Sequence, residues 1–195
     1  MWLSGCTTAE QSFSGESSEH LVDAKAGSPS LILELRYATD NNFLKRRLYP
    51  KARCLLRLPV AHALADVADD LRKEGLRLKV FDCYRPLSVQ KQLWAILPDE
   101  RYVADPAKGS RHNRGAAVDV TLADLAGQEL PMPTAFDEFS ERAHRDFRAL
   151  PPEVIQNRER LETVMRWHGF TGLPTEWWHF DYQGWDRYPV LDLPL

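Results

Sequence analysis

The chain is poor in cysteine, nearly balanced in charge and without a long apolar run. Its three cysteines, Cys6, Cys54 and Cys83, follow no zinc-finger spacing. Cys54 and Cys83 could pair in an oxidising compartment or lie in the core as small hydrophobes, and the sequence leaves both readings open. Twenty-five basic residues against 28 acidic ones give a net charge of −3. The basic residues form no tract, so nucleic-acid binding has no compositional support. No apolar stretch is long enough to span a bilayer. There is no internal repeat.

What is present fits one globular domain. The 195 residues suffice to bury a substantial core, and 44% of them are hydrophobic. Residues 1–30 are rich in Ser, Glu, Gly and Ala, lack periodicity, and read as a disordered tail or linker. Residues 31–195 then form the domain. Within the first segment, Leu3-Ser4-Gly5-Cys6 resembles the lipobox of bacterial lipoproteins, with a polar tether after it. The charged and apolar regions of a signal peptide are missing before Cys6. Lipidation at Cys6 would make the domain periplasmic or outer-membrane-tethered; otherwise the expected compartment is cytoplasmic.

Along the domain, Leu31–Tyr37 alternates as a strand, with Leu31, Leu33 and Leu35 on one face. Residues 59–75 are the clearest helix: Pro59 suits its first turn, Val60, Leu64, Val67, Ala68 and Leu71 form its stripe, and Gly75 ends it. Leu76–Asp82 reads as a strand. Pro86 extends the backbone at Arg85, just before a helix over residues 87–97. Residues 116–122 form a strand, followed by a hairpin turn at Ala126–Gln128 into an extended Glu129–Met132. Thr134–Arg145 is a loop with one helical turn. The last strong helix covers residues 153–168, and Glu176–Tyr182 is β-prone.

Candidate chemistry gathers around Ser110–Thr121. His112 and Asp119 flank a turn containing Gly115. An aspartate in the middle of a β-prone run is costly to bury unless paired or bound to a cation. Downstream, Glu176 and His179 add a carboxylate and an imidazole. Residues three apart on a strand face opposite ways, so Glu176 has to lie in the turn after Pro174, with His179 on the strand. Trp178 and Phe180 are then expected on the core face. His112, Asp119 and His179 meet the count for a zinc site with one open position, and Glu176 is left as a base. Arg85 adds an electrophile for a developing oxyanion. Each residue alone has a plainer explanation. Arg85 could be a surface ion-pair partner, Asp137 an N-cap or solvated acid, and Glu176 a surface acid at a strand entry.

Five segments in order and spacing resemble the VanX-type D-alanyl-D-alanine dipeptidases, which are zinc metallopeptidases. They are Arg36-Tyr37-Ala38-Thr39 with Asn41-Asn42-Phe43; Asp82-Cys83-Tyr84-Arg85-Pro86; Ser110-Arg111-His112-Asn113-Arg114-Gly115 with Asp119; Phe136-Asp137 with Glu141-Arg142-Ala143-His144; and Glu176-Trp177-Trp178-His179. The resemblance runs from about Leu31 nearly to the C-terminus. It implies a compact α+β domain whose central antiparallel sheet, flanked by helices, carries one zinc ion. By the same resemblance, His112, Asp119 and His179 are the ligands, Glu176 the base, and Arg85 the group that steadies the tetrahedral intermediate. Tyr37, Ser110 and Asp137 would hold the free amino end of a small D,D-dipeptide. Asn113 stands where the family often has serine. Two other functions share these features: a zinc D,D-carboxypeptidase or endopeptidase with an open groove, and a non-catalytic zinc-stabilised binding domain.

Overall fold

The computed structural model describes residues 20–195; Cys6 and the lipobox-like segment lie outside them. Two short strands come first in space rather than in sequence. β1 (Leu21–Asp23) pairs antiparallel with β3 (Leu55–Arg57), matching Val22 to Leu56. Between them in the chain lie α1 (Ala24–Gly27) and β2 (Ile32–Leu33). Val22 and Ala24, upstream of the boundary expected at residue 31, are part of the core. The Ser- and Gly-rich composition of residues 1–30 hides this short apolar run. What holds it is contact with distant residues: Leu21 covers Gly115, whose φ is +68°, and a Cβ there would lie 2.4 Å from Leu21 Cδ2.

The main sheet has the order β2-β4-β5-β7-β6. Its members are β4 (Arg77–Asp82), β5 (Ala117–Ala123), β6 (Phe170–Gly172) and β7 (His179–Tyr182). Pairing is antiparallel from β4 through β6, while β2 adds parallel to β4. The strand expected over 31–37 shortens to two residues because the chain tightens into a 3-10 turn at Arg36–Ala38. That turn carries Tyr37 into the interior, where its hydroxyl donates to Asp137 (3.0 Å). The extended segment after Gly127 contributes one bridge, Ala123 to Glu129. Pro131 and Pro133 lack the N–H groups needed for a longer ladder.

Two helices cover one sheet face. In α2 (Leu58–Lys73) the residues Val60, Leu64, Val67, Ala68 and Leu71 are all buried. Burying one such leucine contributes roughly 1.5–3 kcal/mol. The helix stops where Gly75 adopts φ +76° and Leu76 N–H closes back on Leu71 C=O (2.9 Å). α4 (Pro152–Trp167) starts on proline and packs Leu161 and Met165 into the same core. Leu78, Val80, Val118, Val120 and Phe180 meet these helices from the sheet. The opposite face bears Asp119 and is roofed by loops. α3 (Leu87–Ile96) stands at its edge and buries Val89, Gln90 and Leu93. No helix among the described residues is long and apolar enough to cross a membrane.

Cys54 and Cys83 form a disulfide that joins the start of β3 to the end of β4 across a sequence separation of 29. Both are fully buried. Closing a loop of that length removes unfolded-state entropy equivalent to about 3–4 kcal/mol. Replacing both cysteines by alanine is expected to lower unfolding free energy by roughly 2–4 kcal/mol. Chemical denaturation of oxidised wild type against the double variant measures this, and equal midpoints would show that the bridge adds nothing.

Candidate metal centre and active site

Strand register builds the site. Asp82 lies opposite Asp119, and Asp119 lies opposite His179, so three polar side chains form one row across β4, β5 and β7. A register shift between Val80 and Asp82 brings Asp82 onto that face. His112 enters from the 3-10 turn His112–Arg114 ahead of β5. The turn is tied to the Arg85 strand end by Arg85 N–H to His112 C=O (3.1 Å) and Asn113 Nδ2 to Arg85 C=O (2.7 Å). Asn113 thus does structural duty that no sequence pattern announced.

His112 Nε2 lies 3.1 Å from His179 Nδ1. Asp119 Oδ1 lies 3.0 Å from His179 Nδ1 and 3.4 Å from His112 Nε2. One ligand atom from each of the three residues falls within 4.8 Å of the others, and all three residues are buried. The far nitrogen of each ring is already engaged. His112 Nδ1 faces the Cys83 carbonyl at 2.7 Å, and His179 Nε2 faces Asp181 at 2.8 Å. This leaves Nε2 of His112 and Nδ1 of His179 as the free lone pairs. The charges point the same way. Asp82, Asp119, Asp137, Glu176 and Asp181 crowd around the buried guanidinium of Arg85, with Arg111 beside Asp181. Burial disfavours the charged form of His179, yet Asp181 and Asp119 outweigh it and push its pKa up to about 10. Burial opposes ionisation of Asp119 as well, but the two imidazoles hold it well below the usual carboxylate range. The pocket is thus electronegative enough to bind a proton where a cation would sit, and the residues fit a divalent metal.

Glu176 lies in the turn after Pro174, as the strand geometry requires, with Oε2 3.9 Å from His179 Nδ1. Burial raises its pKa to about 8. The loop that presents it is braced by Arg145. That guanidinium donates to Leu173 C=O (2.9 Å), Trp177 C=O (3.0 Å) and His179 C=O (2.8 Å). It passes so close to Gly172 that a Cβ there would lie 2.2 Å from Arg145 Cζ. Arg85 is buried rather than a surface residue. It makes two hydrogen bonds to Asp82 (2.7 and 3.0 Å) and one to Gln90 (2.9 Å), and lies 3.9 Å from Asp119. Gln90 in turn donates to Ala104 C=O in the roof loop (2.7 Å).

Tyr37, Ser110 and Asp137 line the same cavity of about 100 Å³ as Arg85, Glu176 and the three ligand candidates. Burial, then the charge of Asp119, raises the Asp137 pKa well above the ordinary carboxylate value. Its backbone sits at φ 60°, a conformation costing about 1–3 kcal/mol for a residue other than glycine. Ser110 Oγ accepts from His112 N–H (3.2 Å), leaving the hydroxyl proton free to donate. Trp178 packs in the core as expected and at the same time borders the cavity, against Phe136 (5.6 Å between centroids). β7 begins only at His179, so Trp178 escapes strand alternation, while Phe180 obeys it. Sequence reasoning missed Asp82, Gln90, Arg145 and Asp181. For Asp181 a signal existed, since it shares a β face with His179; Asp82 reaches the site only through the register shift after Val80.

The buried His–Asp–His cluster can hold a divalent cation, with a separate protonatable carboxylate beside it, and the chain's relatives make it a metallopeptidase. The chain belongs to the peptidase M15 family, whose model, described as D-ala-D-ala dipeptidase, matches residues 17–189. It is 41% identical over 171 residues to the D-alanyl-D-alanine dipeptidase of Escherichia coli (strain K12), covering 88% of this chain and 89% of that protein. It is 29% identical over 185 residues to the D-alanyl-D-alanine dipeptidase of Enterococcus faecium, covering 83% and 91%.

The Asp181–His179 contact generates a test of the cluster. Asp181→Asn is expected to weaken divalent-metal binding by about 10- to 100-fold. Competition against a chromogenic chelator reads this out, and unchanged affinity would remove Asp181 from the metal-orienting layer.

Proposed function

We propose that this chain hydrolyses D-alanyl-D-alanine to two D-alanines, using one zinc ion held by His112, Asp119 and His179. The observation that carries this reading is the small cavity, which sets an electrophile and a protonatable base beside the cluster and a buried carboxylate in the same space. A bound zinc ion supplies Lewis acidity toward the scissile carbonyl and acidifies water. Glu176 takes a proton from the attacking water and returns it to the leaving amine. Arg85, immobilised by Asp82 and Gln90, presents a fixed positive charge to the developing oxyanion. Asp137, held against the Tyr37 hydroxyl, receives the free ammonium, and Ser110 Oγ keeps a second lone pair to accept from it. An ammonium would relieve the strain of desolvating the Asp137 carboxyl, and it favours a substrate with a free amino terminus. A cavity of about 100 Å³ favours a dipeptide over a peptidoglycan strand.

For compartment, the reading is a lipid-tethered periplasmic domain, with Cys6 as the attachment point. The buried Cys54–Cys83 bridge supports an oxidising environment.

Purified protein should cleave D-Ala-D-Ala, and a chelator should abolish the activity. Glu176→Ala should lose roughly 10²- to 10⁴-fold in kcat while retaining zinc. Wild type that holds zinc yet leaves the dipeptide intact sinks the substrate assignment. Protein that binds no zinc sinks the ligand set.

A further inference from the structure

The proposed substrate carries two charges, and the reading above accounts for only one. Its ammonium has Asp137. Its carboxylate has to enter a small, largely desolvated cavity, and an unpaired carboxylate there is costly. Three cationic side chains line that cavity: Arg85, Arg101 and Arg111. Arg85 gives three of its five N–H groups to Asp82 and Gln90, and its charge serves the oxyanion in the reading above. Arg101 is tied to Asp99 through three hydrogen bonds of 2.5–3.1 Å and is largely exposed.

Arg111 differs from both. Its side chain, 39% exposed, makes no hydrogen bond among the described residues, and its Nε is buried with only a long ion pair for company. The Asp181 carboxylate lies 3.5 Å away, beyond good hydrogen-bond geometry. The guanidinium lies 4.6 Å over the Trp185 ring. Stacking fixes the plane of the fork while leaving its edge N–H groups unused, which suits bidentate capture of a carboxylate. Arg111 also directly precedes His112, so whatever it holds lies next to the metal cluster.

We propose that Arg111 reads the free C-terminal carboxylate of the dipeptide, so that the cavity selects substrates with an unblocked carboxyl end. This rests on the dipeptidase reading of the site. Asp137 at the amine and Arg111 at the carboxylate then measure the substrate from both ends. A residue added at either terminus removes one charge from its partner.

The test compares wild type, Arg111→Met and Arg101→Met on D-Ala-D-Ala and on its C-terminal amide, with bound zinc measured in each. Wild type should prefer the free acid. Arg111→Met should raise KM for the acid roughly 10- to 100-fold with kcat little changed, bringing acid and amide close to parity. Arg101→Met should keep the wild-type preference. Calorimetric binding of both compounds to the zinc-loaded Glu176→Ala protein, with and without Arg111→Met, should show the same loss of discrimination without turnover. The proposal is overturned if Arg111→Met retains the acid preference, if Arg101→Met loses it, or if wild type does not discriminate. It is also overturned if Arg111→Met loses zinc or loses kcat equally on both compounds, since that marks a support role through Asp181. Wild type that cleaves neither compound overturns the dipeptidase reading, and this inference with it.

Discussion

A carboxylate buried in the middle of a strand needs a positive partner, and Asp119 is the residue that imposes this on the fold. It sits in β5, every residue of which is buried, with Asp82 on one neighbouring strand and His179 on the other. The surrounding acids deepen the negative potential rather than relieve it. Arg85 is the guanidinium nearest Asp119, and Asp82 already shares it. Charge balance therefore falls to the imidazoles and to whatever cation they accept. The sheet can pack two helices on its other face because its chemistry is confined to this one.

Around that demand the chain builds a supporting layer that touches no substrate. The Cys83 carbonyl and the Asp181 carboxylate decide which nitrogen each histidine offers. Gln90 couples Arg85 to the roof loop, and Arg145 holds the loop carrying Glu176 by its carbonyls. Each contact fixes a direction rather than adding a reactive group. Small errors in such directions are costly in catalysis, and this explains why so many buried polar residues collect in a small domain.

Much of this was legible from residue order. α2, α4, β4 and β5 announced themselves through sustained periodicity and proline or glycine punctuation. The eight residues singled out for the site all border one cavity. What escaped depended on partners distant in the chain. Tyr37 breaks its strand because Asp137, a hundred positions on, takes its hydroxyl. Leu21–Asp23 is a strand because β3 pairs with it. The argument that made Asp119 conspicuous, the cost of a buried mid-strand acid, applies equally to Asp82 and Asp181. Asp82, at the end of β4, reads from sequence as a strand-end turn residue, and Asp181 sits near the end of a short strand, where exposure is the ordinary expectation. For Cys54 and Cys83 the sequence left pairing open, and only proximity decides it.

The placement of β1 bears on where this domain can be cut or fused. Its residues supply the hydrogen-bonding partner of β3 and the side chain that fills the space over Gly115. A recombinant version started at residue 31 would look reasonable from composition. It would leave β3 with an unpaired edge, an invitation to intermolecular association, and a void against the turn that carries His112. Appended tags or carriers therefore belong upstream of residue 20, where they leave the strand in place.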